Sequence, residues 1–247
     1  YNLVDMIWVG RTGAGGVGAV GAAGMFMWLS GCLMVLARMG GQVYTAQRLG
    51  AGDVTGAARY TTASLQMGTA FSILYTLALI LGARPLIGFF RLNSAQVVED
   101  AVTYLWIVAL GMFSSYINQI LSAIITTTGN SRTPFLAMAA GLGINFFLDP
   151  LLIFGLGPVP GMGVAGAAIA TVLAQVIVTV IFWLYIRRDD HLFAHVRLLS
   201  RPDFKVWREI LKLGVPSALQ SAIFPMISMV IARLIAGWGD DAVAVQK

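Results

Sequence analysis

Two carboxylates and a carboxamide stand in this sequence where polar groups are costly. In "INFFLDPLLIF" (144–154) Asp149 is flanked by Phe146, Phe147, Leu148, Leu151, Leu152 and Ile153, and Asn145 precedes it by four residues. Asp5 sits in the apolar "YNLVDMIWV" at the start of the chain. An aspartate at the centre of a bilayer costs about 2.5–3.5 kcal/mol on insertion scales, so an acid kept there is a functional candidate. On a helix the four-residue step puts Asn145 and Asp149 on one face, one turn apart. Pro150 removes a backbone donor, which tends to loosen the preceding turn and leave a carbonyl near Phe146 free for a ligand. The set supplies oxygen atoms and no counter-charge. Two buried acids without a basic partner must be neutral, share a proton or hold a cation. A structural hydrogen-bonded pair is the plainer alternative. Intramembrane carboxylates commonly mark ion and proton pathways, which favours coupling.

The elements that must position these groups are membrane helices. Apolar residues make up 58% of the chain and charged residues 11%, with a mean hydropathy of +0.81, which excludes an ordinary soluble domain. A run of roughly 20 apolar residues crosses the hydrocarbon core as a helix. That length divides the chain into candidate spans at 1–11, 17–45, 57–83, 100–127, 133–156, 163–187 and 209–238. "RLGAGD" (48–53) reads as a glycine turn, "TGNSRTP" (128–134) as caps followed by a helix-starting proline, and "GLGPVPGMG" (155–163) as a helix stop. The connector from Arg187 to about Arg208 passes into "HVRLLSRPDFKVWREILKLGVP", which reads as a basic amphipathic segment on the membrane surface. Arg38, Arg48, Arg59, Arg132, Arg187, Arg188, Arg197, Arg201, Lys205, Arg208 and Lys212 fall on one side of this topology, and Arg11, Arg84 and Arg91 on the other. The first group therefore faces the cytoplasm. Membrane orientation also accounts for the net charge of +5 without nucleic acid. The chain starts at Tyr1 inside an apolar segment and is read as part of a longer protein. A faint echo between "GRTGAGGVGAVGAA" and "AGWGDDAVAVQ" fits a repeated half.

Other motifs read more plainly. "GVGAVG" (16–21) and "GMGVAG" (161–166) satisfy a dinucleotide-binding glycine pattern, but neither follows a strand, and both suit close helix packing. His191 and His195 are four apart in a solvated basic linker and read as surface residues. Cys32 reads as a small packing residue. Arg233 reads as a snorkelling base near the outer end of the last span. Some of Met25, Met27, Trp28, Met34, Trp106, Met112, Phe113 and Tyr116 could line a cavity for apolar cations, though helical spacing does not separate those from residues facing lipid.

Several stretches, in order, resemble the multidrug and toxic compound extrusion (MATE) transporters, most closely the branch related to DinF. They are "YNLVDMIWVGRTG", "AQRLGAGD", "TTGNSRTP", "NFFLDPLLIFG" and "GMGVAGAAIATVLAQ". The resemblance implies an all-α polytopic fold of twelve helices in two six-helix bundles around a central cavity. This chain would then hold the first bundle (1–187), a cytoplasmic linker (188–208), and the seventh helix with the start of the second bundle (209–247). It also implies a cation site at Asp5, Tyr104, Asn145, Asp149 and Thr171, with sodium possible at Asp5, Asn145 and Asp149.

The function expected on these grounds is a multi-pass antiporter of the inner (plasma) membrane. It would export amphipathic, mostly cationic compounds in exchange for protons or sodium and would need no cofactor. A flippase for a lipid-linked precursor is the alternative. A membrane enzyme would need a nucleophile with its base or a histidine-rich metal set in the spans, and both histidines lie in the linker.

Overall fold

The computed structural model describes residues 2–92, 94–155, 160–189 and 191–235. All regular elements among them are helical: α1 (Asn2–Val9), α2 (Ala14–Gly50), α3 (Val54–Gly88), α4 (Ala95–Leu110), α5 (Met112–Thr127), α6 (Arg132–Phe154), α7 (Gly163–Ile186) and α8 (Phe204–Ile235), with 3-10 turns at Gly10–Thr12 and Phe193–His195. Five of these helices are long and apolar enough to cross a bilayer, or six if α4 and α5 cross as one bent span. The eight described residues of α1 reach only about 12 Å along a helix axis and do not span alone. The faint echo at 236–246 lies outside the described residues.

Two of the expected spans take a different form. The segment 100–127 is two helices, with α4 starting earlier, at Ala95, and a 51° bend between α4 and α5. Gly111 is the joint. A side chain there would press on Val172 of α7, an added Cβ lying 2.8 Å from Val172 Cγ2. The Thr76 hydroxyl donates to the Ala109 carbonyl at 2.9 Å, so the interrupted ladder still has a partner at the end of α4. The second difference is at the last span. The basic amphipathic segment is not a separate surface helix, because from Phe204 onward it forms the first turns of α8, which continues past Pro216 and Pro225. The reason is burial: Val206 and Ile210 pack into the core of the bundle and not into the lipid interface. Side chains at Gly40 of α2 and Gly214 of α8 would collide with the facing backbone at Ile210 and Leu36, so these two helices cross in close contact.

The basic residues gather at one end. The α2–α3 turn, the α5–α6 turn and the 187–203 linker meet there, with Asn130 Nδ2 donating to Tyr185 Oη at 3.1 Å. Arg84 lies at the opposite end, paired with Glu99 at 3.0 Å. The linker is docked on α3. Leu192 and Phe193 are buried, Gln66 Nε2 donates to the carbonyls of Leu198 (2.9 Å) and Ser200 (2.8 Å), and Arg59 pairs with Asp203; past the linker, Tyr60 donates to Glu209 of α8.

The Arg59 guanidinium holds the half-buried Asp203 carboxyl below its ordinary range, helped by the Val206 and Lys205 amides. A depressed acid contributes its docking energy above the unfolded carboxylate value, near ~4, and loses it as pH falls through the lower folded value. Asp203→Asn should therefore loosen the linker already at pH 7, seen as faster tryptic cleavage after the exposed Arg197. In the unsubstituted protein the linker should stay docked until pH falls below about 4. Unchanged cleavage in the variant would mean that the ion pair does not hold the linker.

Candidate functional site

The four helices α1, α4, α6 and α7 bring the five residues named from the sequence into one hydrogen-bonded cluster. Tyr104 of α4 donates its hydroxyl to Asp5 Oδ2 at 2.6 Å. Thr171 of α7 lies 2.9 Å and 3.0 Å from the two Asp5 oxygens. On α6, Asn145 Nδ2 points at Asp149 Oδ1 (3.1 Å), Thr171 Oγ1 (3.3 Å) and Asp5 Oδ1 (3.5 Å), so one amide bridges both acids. Asp5, Asn145 and Asp149 are fully buried, and Tyr104 and Thr171 nearly so.

Local sequence explains each placement. The i, i+4 step aligns Asn145 with Asp149, and α6 runs unbroken through Pro150, so the proline leaves the helix whole. It still lacks the N–H that would bond the Phe146 carbonyl. The Phe146 ring turns outward and meets Trp8 of α1 edge-on, with centroids 5.4 Å apart. Phe154 flanks the same indole at 6.4 Å, so α1 is clamped to α6 by aromatics as well as by Asp5. Trp8 is the positioning residue that the sequence reading missed. Its signal was a three-residue step from Asp5, which places it on the same face of a short helix.

The second support is the glycine run at the start of α7. An added Cβ at Gly166 would come 2.9 Å from the backbone nitrogen of Ile153 and crowd the Leu152 carbonyl, so only glycine lets α7 approach α6 here. That approach brings Thr171 to the acids. The packing reading of "GMGVAG" agrees with this contact. The other polar candidates stay apart: His195 Nδ1 lies 2.9 Å from the His191 carbonyl, in the linker. Met25, Met112 and Tyr116 are core residues, whereas Trp28, Trp106 and Phe113 are substantially exposed.

Among the described residues neither acid of the cluster has a salt-bridge partner. Among the described residues two buried acceptors, Asn145 Oδ1 and Asp149 Oδ2, have no hydrogen-bond donor. Buried acceptors are rarely left unpaired, so two orphaned oxygens beside two carboxylates make a cluster rich in acceptors and poor in donors. Such a set suits a proton or a hard monovalent ion held by oxygen. Among the described residues no group of three or more His, Cys, Asp or Glu side chains is placed to hold a metal ion, so the set lacks the ligand wealth of a structural transition-metal site.

Comparison with known proteins agrees with this architecture. The probable multidrug resistance protein NorM of Thermotoga maritima is 26% identical over 249 residues, an alignment that covers 99% of this chain and 52% of that protein. The multidrug export protein MepA of Staphylococcus aureus is 26% identical over 215 residues, covering 83% of this chain and 45% of its own length. The chain thus spans about half the length of the curated relatives it matches. Among solved structures, the inward-facing conformation of a multidrug resistance MATE family transporter of the MOP superfamily is similar with a TM-score of 0.89 and 28% identity, over 99% of this chain and 55% of that one. An outward-facing conformation of such a transporter gives 0.79 and 30%, over 95% and 50%. Residues 1–151 match the MatE family, and the chain belongs to it.

Proposed function

We propose that this chain is the cation-coupling part of a secondary active antiporter, which exports amphipathic, mostly cationic compounds in exchange for protons or sodium. The observation that carries the reading is the pair of orphaned oxygens, Asn145 Oδ1 and Asp149 Oδ2, in a buried cluster with two carboxylates and, among the described residues, no salt-bridge partner. A cation arriving there supplies the missing positive partner for Asp5 and Asp149.

In this reading residues 1–187 form a six-helix bundle, 188–203 a cytoplasmic linker, and the helix from Phe204 onward opens a second bundle. The end rich in Arg and Lys faces the cytoplasm. Asp5 ties α1 to α4 through Tyr104 and to α7 through Thr171. Neutralising the acids changes how strongly those ties hold α1 against α4 and α7. A coupling ion shifts the access equilibrium only by its differential affinity, so it must bind one state more tightly. Relatives named for multidrug resistance and export support the efflux of compounds over the flipping of a lipid-linked precursor.

The test is efflux of a fluorescent organic cation from proteoliposomes of the purified protein, under an imposed proton gradient and separately a sodium gradient. Flux that follows one gradient identifies the ion. Flux that follows neither overturns the antiport reading.

A further inference from the structure

Two cavities lie side by side on α3, separated by the linker, and they differ in chemistry. One, of about 420 Å³, is polar and basic, lined by Arg59, Gln66, His195, Arg197, Arg201 and Asp203 among others. Its neighbour, of about 360 Å³, is an apolar cleft between α3, α5 and α7 with Leu65, Phe113, Leu121, Phe193, Val196 and Leu198 in its walls. They meet at one seam, where Gln66 holds the carbonyls of Leu198 and Ser200.

The linker creates this division by alternation. Phe193, Val196 and Leu198 line the apolar cleft, while Ala194, His195, Arg197, Ser200 and Arg201 line the basic cavity. The α3 surface divides in register: Thr55, Arg59, Thr62 and Gln66 follow one helical stripe, and Leu65 and Thr69 the next. Charge then decides the occupant. Asp203 is taken up by Arg59, and neither Arg197 nor Arg201 has a carboxylate partner among the described residues. Both are exposed. Two unmatched guanidiniums therefore sit beside an apolar cleft of a membrane protein, at the end carrying most of its basic residues.

We propose that this pair of cavities is a binding site for one anionic phospholipid of the cytoplasmic leaflet, with its phosphate on Arg197 and Arg201 and an acyl chain in the cleft under Phe193 and Leu198. A free phosphate would leave the apolar half unfilled, and a zwitterionic lipid would leave the guanidiniums without net countercharge. No residue of α2 or α8 lines either cavity, and Asp203, next to the first residue of α8, closes the basic one. A lipid seated here bridges α3, α5 and α7 to the linker and holds the linker down.

Native mass spectrometry of the purified protein, incubated with dioleoyl phosphatidylglycerol or dioleoyl phosphatidylcholine, tests this. Retention should favour phosphatidylglycerol by about tenfold or more, the scale of two basic side chains acting on an anionic lipid. The preference should vanish in Arg197→Gln/Arg201→Gln and survive in Arg132→Gln, an exposed arginine at the same end outside both cavities. Dihexanoyl phosphatidylglycerol and inorganic phosphate should displace the long-chain lipid poorly. Equal retention of the two lipids, no retention of either, a preference that persists in the double variant, or displacement by inorganic phosphate would each overturn the proposal.

Discussion

Asp149→Asn is expected to abolish gradient-driven export while leaving the protein folded. The substitution is nearly isosteric, and the new amide oxygen can still accept from Asn145 Nδ2, now 3.1 Å from Asp149 Oδ1. What disappears is the charge and the orphaned acceptor Oδ2, which becomes an NH2 with nothing to offer a cation. A neutral amide in this buried position carries none of the desolvation cost of an unpaired carboxylate, so stability should hold or rise. Coupled flux should fall on the order of 100-fold, the scale on which positioned proton-transfer groups act. Asp5→Asn should behave alike, because both Asp5 oxygens are engaged by Thr171 and one by Tyr104. Tyr104→Phe keeps both acids and removes only the 2.6 Å donor, so it should slow flux without abolishing it. The decisive comparison is organic-cation efflux from proteoliposomes beside thermal unfolding of the same preparations. Normal export by both aspartate variants would remove the coupling role from this cluster.

Gly166→Val should be the most damaging substitution to the site that touches none of its polar atoms. An added Cβ would stand 2.9 Å from Ile153 N and against the Leu152 carbonyl. These are backbone atoms of α6, and the Leu152 carbonyl also accepts from the Met162 amide at 2.9 Å, so they cannot swing aside as a side chain would. Forcing a branched side chain into this contact should cost about 3 kcal/mol or more. For a chain of this size that corresponds to a fall of about 10 °C in Tm. The separation also withdraws Thr171 from Asp5 and Asn145, so residual folded protein should couple poorly. Gly143→Ala is the matched control, since a Cβ there meets nothing within 4 Å. A Tm unchanged in Gly166→Val would mean that α6 and α7 pack less tightly than the structure shows.

The polar half of the site was legible in advance to an uneven degree. Asn145 and Asp149 lie on one helix, where spacing alone decides that they share a face. Tyr104 and Thr171 came from family resemblance, because nothing local distinguishes them from other hydroxyls in apolar runs. Their approach to Asp5 crosses 99 and 166 positions of chain. Trp8 escaped notice for the same reason, since its partners Phe146 and Phe154 lie on α6.

By itself the sequence determined that this chain belongs in a membrane, which end collects its basic residues, and that two acids sit in apolar segments. Hydropathy, charge and helical period are local properties, summed over neighbours along the chain. Only the tertiary structure decided the bend at Gly111, the absorption of residues from Phe204 into α8, the docking of the linker on α3, and the orphaning of two oxygens at the cluster. Each depends on which helix faces which, and that is set by side-chain volume at contacts between distant segments, as where Gly111 admits Val172 and Gly166 admits Leu152.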